Sequence, residues 1–245
     1  MKKIFLISIS ALVLPMISCG QWPKNLQGSL NNVLNNGTAP SAKPTDEEVI
    51  GGLKEALQNG INNGADRVSK PDGFFKDLAI KILMPPDAKK VEDKLREIGL
   101  GAKVDQAIES MNRAAEKAAI DSKPIFVNAI KSMSFTDAWG ILKGTDDAAT
   151  QYLKKTCTAG LTEKFMPVIK NALDAVSATK YWKDVFDTYN KIPFVTPVNS
   201  DLTSYVTQKA LEGLFHEIAA EEAKIRKDPL AQVTALLKKV FGWKG

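Results

Sequence analysis

Residues 201–226 read DLTSYVTQKALEGLFHEIAAEEAKIR. Within them Leu211, Leu214, Phe215, Ile218 and Ile225 recur at spacings that place them on one stripe of a helix. Glu222 falls on the same stripe, between Ile218 and Ile225. A carboxylate in an apolar stripe is either paired or has its pKa raised by desolvation. A raised carboxylate does general-acid work, as in glycosidases, where a second acid stands across the bond. The other readings are an ion pair with an arginine such as Arg113, or a groove-facing Glu at the stripe's edge. His216, the one histidine of the chain, projects about 140° from Leu211 at helical spacing and is expected at the surface.

The same period runs outward from this segment. Thr45-Asp46-Glu47-Glu48 combines a cap with acids suited to a helix N-terminus, and Val49, Ile50, Leu53, Leu57, Ile61 and Val68 follow at helical spacing to Ser69. Lys70-Pro71-Asp72-Gly73 is a turn. Residues 74–84 are apolar and suit a short helix or an extended segment, the one place for a strand. Helical patterns follow over 87–98 (closed by Gly99), 102–119 and 121–133. Ser134 or Thr136 is expected to cap a short helix ending near Gly144. Thr145 or Asp146 starts a longer one that Pro167 breaks or kinks, and more helix runs to Lys191. Residues 192–199 contain two prolines and are expected to be an extended crossover. Asp228-Pro229 is expected to open a last helix ending at Phe241-Gly242. The expectation is an all-α fold, a single domain of about eight or nine helices over residues 45–245.

The N-terminal end predicts an address. Lys2 and Lys3 precede an apolar run over 4–15, too short to span a bilayer, which takes about 20 residues, and flanked as a cleaved signal is. Met16-Ile17-Ser18-Cys19 looks like a lipobox. The expectation is a lipoprotein signal peptide over 1–18, diacylation of Cys19, and a stable membrane anchor of more than one acyl chain. Plain secretion is the competing reading, but Met16 suits its third-last position poorly. Gly20 after the cysteine, with no acidic cluster beyond it, points to the periplasmic face of an outer membrane. Residues 19–44 are rich in Asn, Gly, Ser and Pro and predict a flexible linker, although Trp22 with Leu30, Val33 and Leu34 would also suit a short docking helix.

The net charge of +5 falls by two when Lys2 and Lys3 leave with the signal. The remaining lysines are spread among acids, so nucleic acid is not an expected partner. Loss of one role for Cys19 leaves Cys157 as the lone thiol, which excludes an internal disulfide.

Several motifs occur in fixed order: Lys70-Pro71-Asp72-Gly73-Phe74, residues 111–116 (MNRAAE), 144–153 (GTDDAATQYL), Pro193-Phe194-Val195, 199–207 (NSDLTSYVT), 210–215 (ALEGLF), Glu221-Glu222-Ala223 and Ile225-Arg226. Together, over residues 46–242, they resemble the bacterial family DUF4197, a domain of unknown function. The resemblance implies an exported, mainly helical protein. It brings no activity, cofactor or catalytic residue with it.

Two further groups are candidates for chemistry. Asp146 and Asp147 are adjacent carboxylates that suit acid/base or metal work, or simply the capping of the helix they precede. Asn112, Arg113 and Glu116 share a helix whose other face carries Val104, Ile108, Met111 and Ala115. Arg113 either pairs locally with Glu109, or, if other helices cover that face, lines a polar site for an anionic group. One His and one remaining Cys make a metal site or cofactor unexpected. Phosphate-loop, calcium-loop, nucleophile-elbow and zinc-helix motifs do not occur. The reading these residues favour is a non-catalytic envelope lipoprotein that binds a protein partner or a small apolar ligand. Its alternatives are a carboxylate-dependent cell-wall hydrolase using Glu222, and a carrier enclosing an apolar ligand among interior Met and Phe side chains.

Overall fold

Helix formation begins where the capping chemistry puts it. Thr45 Oγ1 accepts from the Glu48 N–H at 3.2 Å and the Glu48 carboxylate accepts from the Thr45 N–H at 2.9 Å, a reciprocal box that starts α1 (Asp46–Val68). The computed structural model describes residues 43–196 and 201–244. Among them it contains eight α-helices and no strand. After α1 come α2 (Lys89–Glu97), α3 (Gly101–Ser132), α4 (Ala138–Leu142), α5 (Ala148–Ala175), α6 (Ala178–Asn190), α7 (Leu202–Lys227) and α8 (Ala235–Phe241). Short 3-10 turns lie at Pro86–Ala88 and Pro229–Ala231. The expected signal peptide, the Cys19 acylation site and the linker up to residue 42 lie outside the described residues.

The four longest helices close a ring. α1 packs on α3 and α7, and α5 packs on the same two. They enclose one core that includes Leu53, Leu57, Ile61, Met111, Phe126, Leu153, Phe165, Leu214 and Ile218, all buried. Each such side chain contributes about 1.5–3 kcal/mol on burial. Leu211, Leu214, Phe215 and Ile218 are the α7 share of this interior, where Phe126 meets Phe215 edge to face at 5.6 Å, while Ile225 packs with Ala56 and Leu237 in a smaller cluster. The Met and Phe residues that suggested an apolar carrier are therefore packing partners within the ring. Around it, α6 lies on α3, α2 on α3 and α6, α4 bridges α1 and α5, and α8 covers α1. None of the described helices is long and apolar enough to cross a membrane.

Boundaries differ from the sequence expectation where exposure absorbs a defect. Residues 102–119 and 121–133 form the single helix α3, with Pro124 inside it. The carbonyl that a residue-124 N–H would have bonded belongs to Ile120, an exposed residue at which solvent can supply the missing donor. Pro167 likewise sits inside α5 on an exposed face and does not end it. Residues 74–84 are neither helix nor strand, for the reason given below. Residues 191–194 begin the expected crossover as a turn, with Phe194 at φ 64°. Asp228-Pro229 opens only a 3-10 turn, and α8 starts later, where Thr234 Oγ1 accepts from the Leu237 N–H at 3.1 Å. Gly99 does end α2 as expected, at φ 79°.

Candidate functional site

Residues 70–86 form a strap laid across α3 and α7, and the sequence-predicted polar residues of α3 are what hold it. Asn112 is fully buried. Its Oδ1 accepts from the Ile82 N–H at 2.9 Å, and its Nδ2 donates to the Ile82 carbonyl at 2.7 Å and the Ile108 carbonyl at 2.8 Å. One side chain thus satisfies both peptide groups of a residue that has no secondary structure of its own, which lets an irregular segment lie against the core. Glu116, also buried, accepts at Oε1 from the Phe74 and Phe75 N–H groups, both at 3.1 Å. Its Oε2 accepts from Arg113 at 2.9 Å. Arg113 also reaches Asp72 at 2.8 Å and Glu109 at 3.1 Å. Glu116 and then Asp72 keep the Arg113 guanidinium charged far above any working pH, while Lys76 and then Arg113 hold the Asp72 carboxyl below the usual carboxylate range. Phe74 is driven into the core beneath this network. A Cβ at Gly213 would lie 2.6 Å from its ring, so α7 accepts Phe74 because that position has no side chain.

A second network stands around Glu222, and it contains Arg226 rather than Arg113. Glu222 is fully buried, and its two oxygens accept from the Ala149 N–H (3.0 Å), the Thr150 N–H (2.8 Å), the Thr150 hydroxyl (2.7 Å) and two Arg226 nitrogens (2.9 and 2.7 Å). Arg226, its side chain 9% exposed, also donates to the Leu142 and Ile141 carbonyls at 2.6 and 3.1 Å. One carboxylate from α7 therefore caps α5, and one arginine from α7 caps α4.

This corrects the capping expected of Asp146 and Asp147. Asp147 precedes α5 without a side-chain cap bond. It accepts instead from Gln151 and Thr145, which together lower its pKa. Asp146 pairs with Lys227. The structure does not bring Asp146 and Asp147 together with Asn112, Arg113 and Glu116: the two groups serve separate networks. Among the described residues no set of three or more His, Cys, Asp or Glu is arranged to hold a metal ion.

Between the outer edge of the strap and α7 runs an open groove of about 420 Å³, lined by Lys81, Leu83, Tyr205, Lys209, Glu212 and His216 among others. Lys209 and Glu212 pair at 2.7 Å. His216 faces outward as its spacing predicts, but onto this groove rather than onto bare surface. Tyr205 ties the two walls, its hydroxyl donating to the Leu83 carbonyl at 2.9 Å. Burial, then Glu212 and Asp87, pushes the Tyr205 phenol up to about 12. Its folded pKa exceeds the unperturbed value of about 10, so this contact contributes fully below that pH and is lost as pH rises through the folded value. In an ultraviolet difference titration, one of the four tyrosines is expected to ionise near pH 12, and Tyr205→Phe to remove that step.

With this geometry established, comparison with known proteins is informative on one point. The family described as "Protein of unknown function (DUF4197)" matches residues 43–242. The chain belongs to that family. No curated protein and no solved structure matches it. The DUF4197 motifs noted in the sequence are joined in space. Residues 70–74 meet Arg113, Glu116 and Gly213, while the 144–153 motif meets Glu222, which in turn holds Arg226. The groove itself was missed from sequence, because the strap that forms one wall carries no periodic signal. Arg226 was also missed, Arg113 having been offered as the partner, although its place four residues after Glu222 on one helix carried the signal. Glu217, a third buried acid that went unremarked, pairs with Arg67 of α1.

Proposed function

We propose that this DUF4197 protein is an envelope lipoprotein, anchored through Cys19 on the periplasmic face of the outer membrane, that holds an extended segment of another envelope protein in the groove between the strap and α7. The observation that carries this reading is the peptide geometry of the strap. Neighbouring residues of an extended chain turn their N–H and C=O groups to opposite sides. Ile82 spends both groups on Asn112, and the Leu83 carbonyl turns the other way, to Tyr205. Among the described residues the Leu83 N–H has no partner, and its side chain, which lines the groove, is 56% exposed. An unpaired N–H on an extended segment, beside an exposed apolar side chain, is a group that strand addition uses, with main-chain bonds for affinity and side chains for specificity; the Leu83 carbonyl is already held by Tyr205. The Glu222 hydrolase reading draws less support, since both carboxylate oxygens are filled by donors from the fold.

The test is a photocrosslinking residue placed at Leu83 in the cell envelope, with the same residue at exposed Ile120, outside the groove, as control. A discrete envelope protein crosslinked from position 83 and not from 120 is the expected result. The same pattern from both positions, or none, removes the groove reading. Soluble fragments released from purified cell wall by the wild-type chain, and lost in a folded Glu222→Gln variant, would establish the hydrolase in its place.

A further inference from the structure

At the end of the domain where the chain enters from its N-terminal side, two tryptophans and a set of lysines share one surface. Trp139 follows the start of α4 and Trp243 follows α8; their rings meet edge to face at 5.1 Å. Lys43 lies 4.9 Å from the centre of the Trp139 ring and Lys143 lies 5.3 Å from that of Trp243. Beside them an open depression of about 340 Å³ is lined by Leu142, Lys143, Phe241, Trp243 and Lys244, with no acid in its wall; Arg226 also borders it, but its guanidinium is already held by Glu222 and the Ile141 and Leu142 carbonyls. Three acids of this end have partners, while Glu47 in the first turn of α1 is exposed. Asp46 accepts from the Trp139 indole, Asp146 holds Lys227, and Glu48 holds Lys239. Among the described residues Lys143 and Lys244 have no carboxylate partner, and the Trp243 indole N–H has no acceptor.

We propose that this surface is a second membrane contact, which seats the domain on anionic lipid headgroups beside its acyl anchor. Two arguments commit the patch to a bilayer. First, half-buried tryptophans with lysines around them match the headgroup zone, where an amphipathic ring meets both apolar and wet surroundings and an ammonium meets phosphate. Second, the patch contains the residue at which the chain from Cys19 enters the domain. The roughly 24 residues from Cys19 to Lys43 span at most about 80 Å when fully extended, so an anchored chain keeps this end within reach of the membrane. That tethering raises the effective concentration enough for a weak patch to be occupied. The inference rests on the lipid-anchor reading for its local concentration, but the surface chemistry belongs to the domain alone.

The test uses the chain from residue 19 onward with Cys19→Ser, which carries no lipid, and co-sedimentation with vesicles. The expected result is partition onto vesicles of three parts phosphatidylglycerol to seven of phosphatidylcholine, weaker at high salt, with little onto phosphatidylcholine alone. Each lysine near an anionic surface adds about a fivefold gain, so Lys143→Ala with Lys244→Ala should lower partition about 25-fold. Trp243→Ala should lower it further, and Lys90→Ala with Lys117→Ala, exposed elsewhere, should leave it unchanged. No partition, equal partition onto both vesicles, or an equal loss in the control pair would each overturn the proposal. So would saturable binding of inorganic phosphate without vesicle partition, which would make the depression a free-anion site. The anchor reading is settled separately by the mass of the wild-type chain extracted from cells, with or without acyl groups, whatever the vesicles show.

Discussion

Glu222→Gln is expected to lower the unfolding free energy by about 3–5 kcal/mol, because it breaks a buried ion pair while leaving its partner in place. The carboxylate has two acceptor oxygens and five donors around them, from two backbone N–H groups, one hydroxyl and Arg226. Glutamine retains one acceptor oxygen and turns an NH2 group toward donors at the other. Either Arg226 or the first turn of α5 is then left facing a donor, and both are too enclosed for water to repair the contact. The loss propagates, since Arg226 also closes the carbonyl end of α4. Urea unfolding of the single variants and of Glu222→Gln with Arg226→Met measures this directly. The double variant should be less destabilised than the sum of the singles, as expected of two groups that act as one unit. A Glu222→Gln loss below about 1 kcal/mol, the ordinary range for a surface change, would show that the fold does not need the charge and would return Glu222 to the list of acids available for chemistry.

The α7 stripe shows what was legible in the sequence and why the rest was not. Leu211, Leu214, Phe215, Ile218 and Ile225 follow a period, and a period is a local property, so the helix and its buried face follow from spacing alone. Glu222 stood out by the same rule, as the one acid on that stripe between apolar neighbours. Its partners did not stand out, since Ala149 and Thr150 are 73 and 72 residues away and donate backbone groups that carry no residue-type signature. The capping expected of Asp146 and Asp147 went to Glu222 for the same reason: a cap can come from any carboxylate that the tertiary fold delivers. Asn112 and Glu116 read as polar residues on one helix, and only the fold reveals that they hold residues 74–82. Pro167 was expected to break or kink its helix and does not end it, because a missing N–H on an exposed helix face costs little where water can donate to the freed carbonyl.

Asn112→Ala should release the strap while leaving the helical ring intact. The change removes three buried hydrogen bonds at once and leaves the Ile82 N–H and carbonyl with no partner from α3. An orphaned buried peptide group costs about 1–3 kcal/mol, so a loss of about 3 kcal/mol is expected, with the strap opening first around Ile82, between its ties to Glu116 and to Tyr205. Far-UV circular dichroism should change little. In amide exchange, Ile82 should move from strong protection in the wild type to rates near those of an open segment. The Phe74 and Phe75 amides, still held by Glu116, should keep most of theirs. The groove is built on this staple, because Leu83 can present its peptide edge only while Ile82 is fixed. Crosslinking from position 83 should therefore fail in Asn112→Ala even where the domain remains folded. Retained crosslinking together with lost Ile82 protection would mean that the partner recognises α7 alone, and the peptide edge would then have no part in binding.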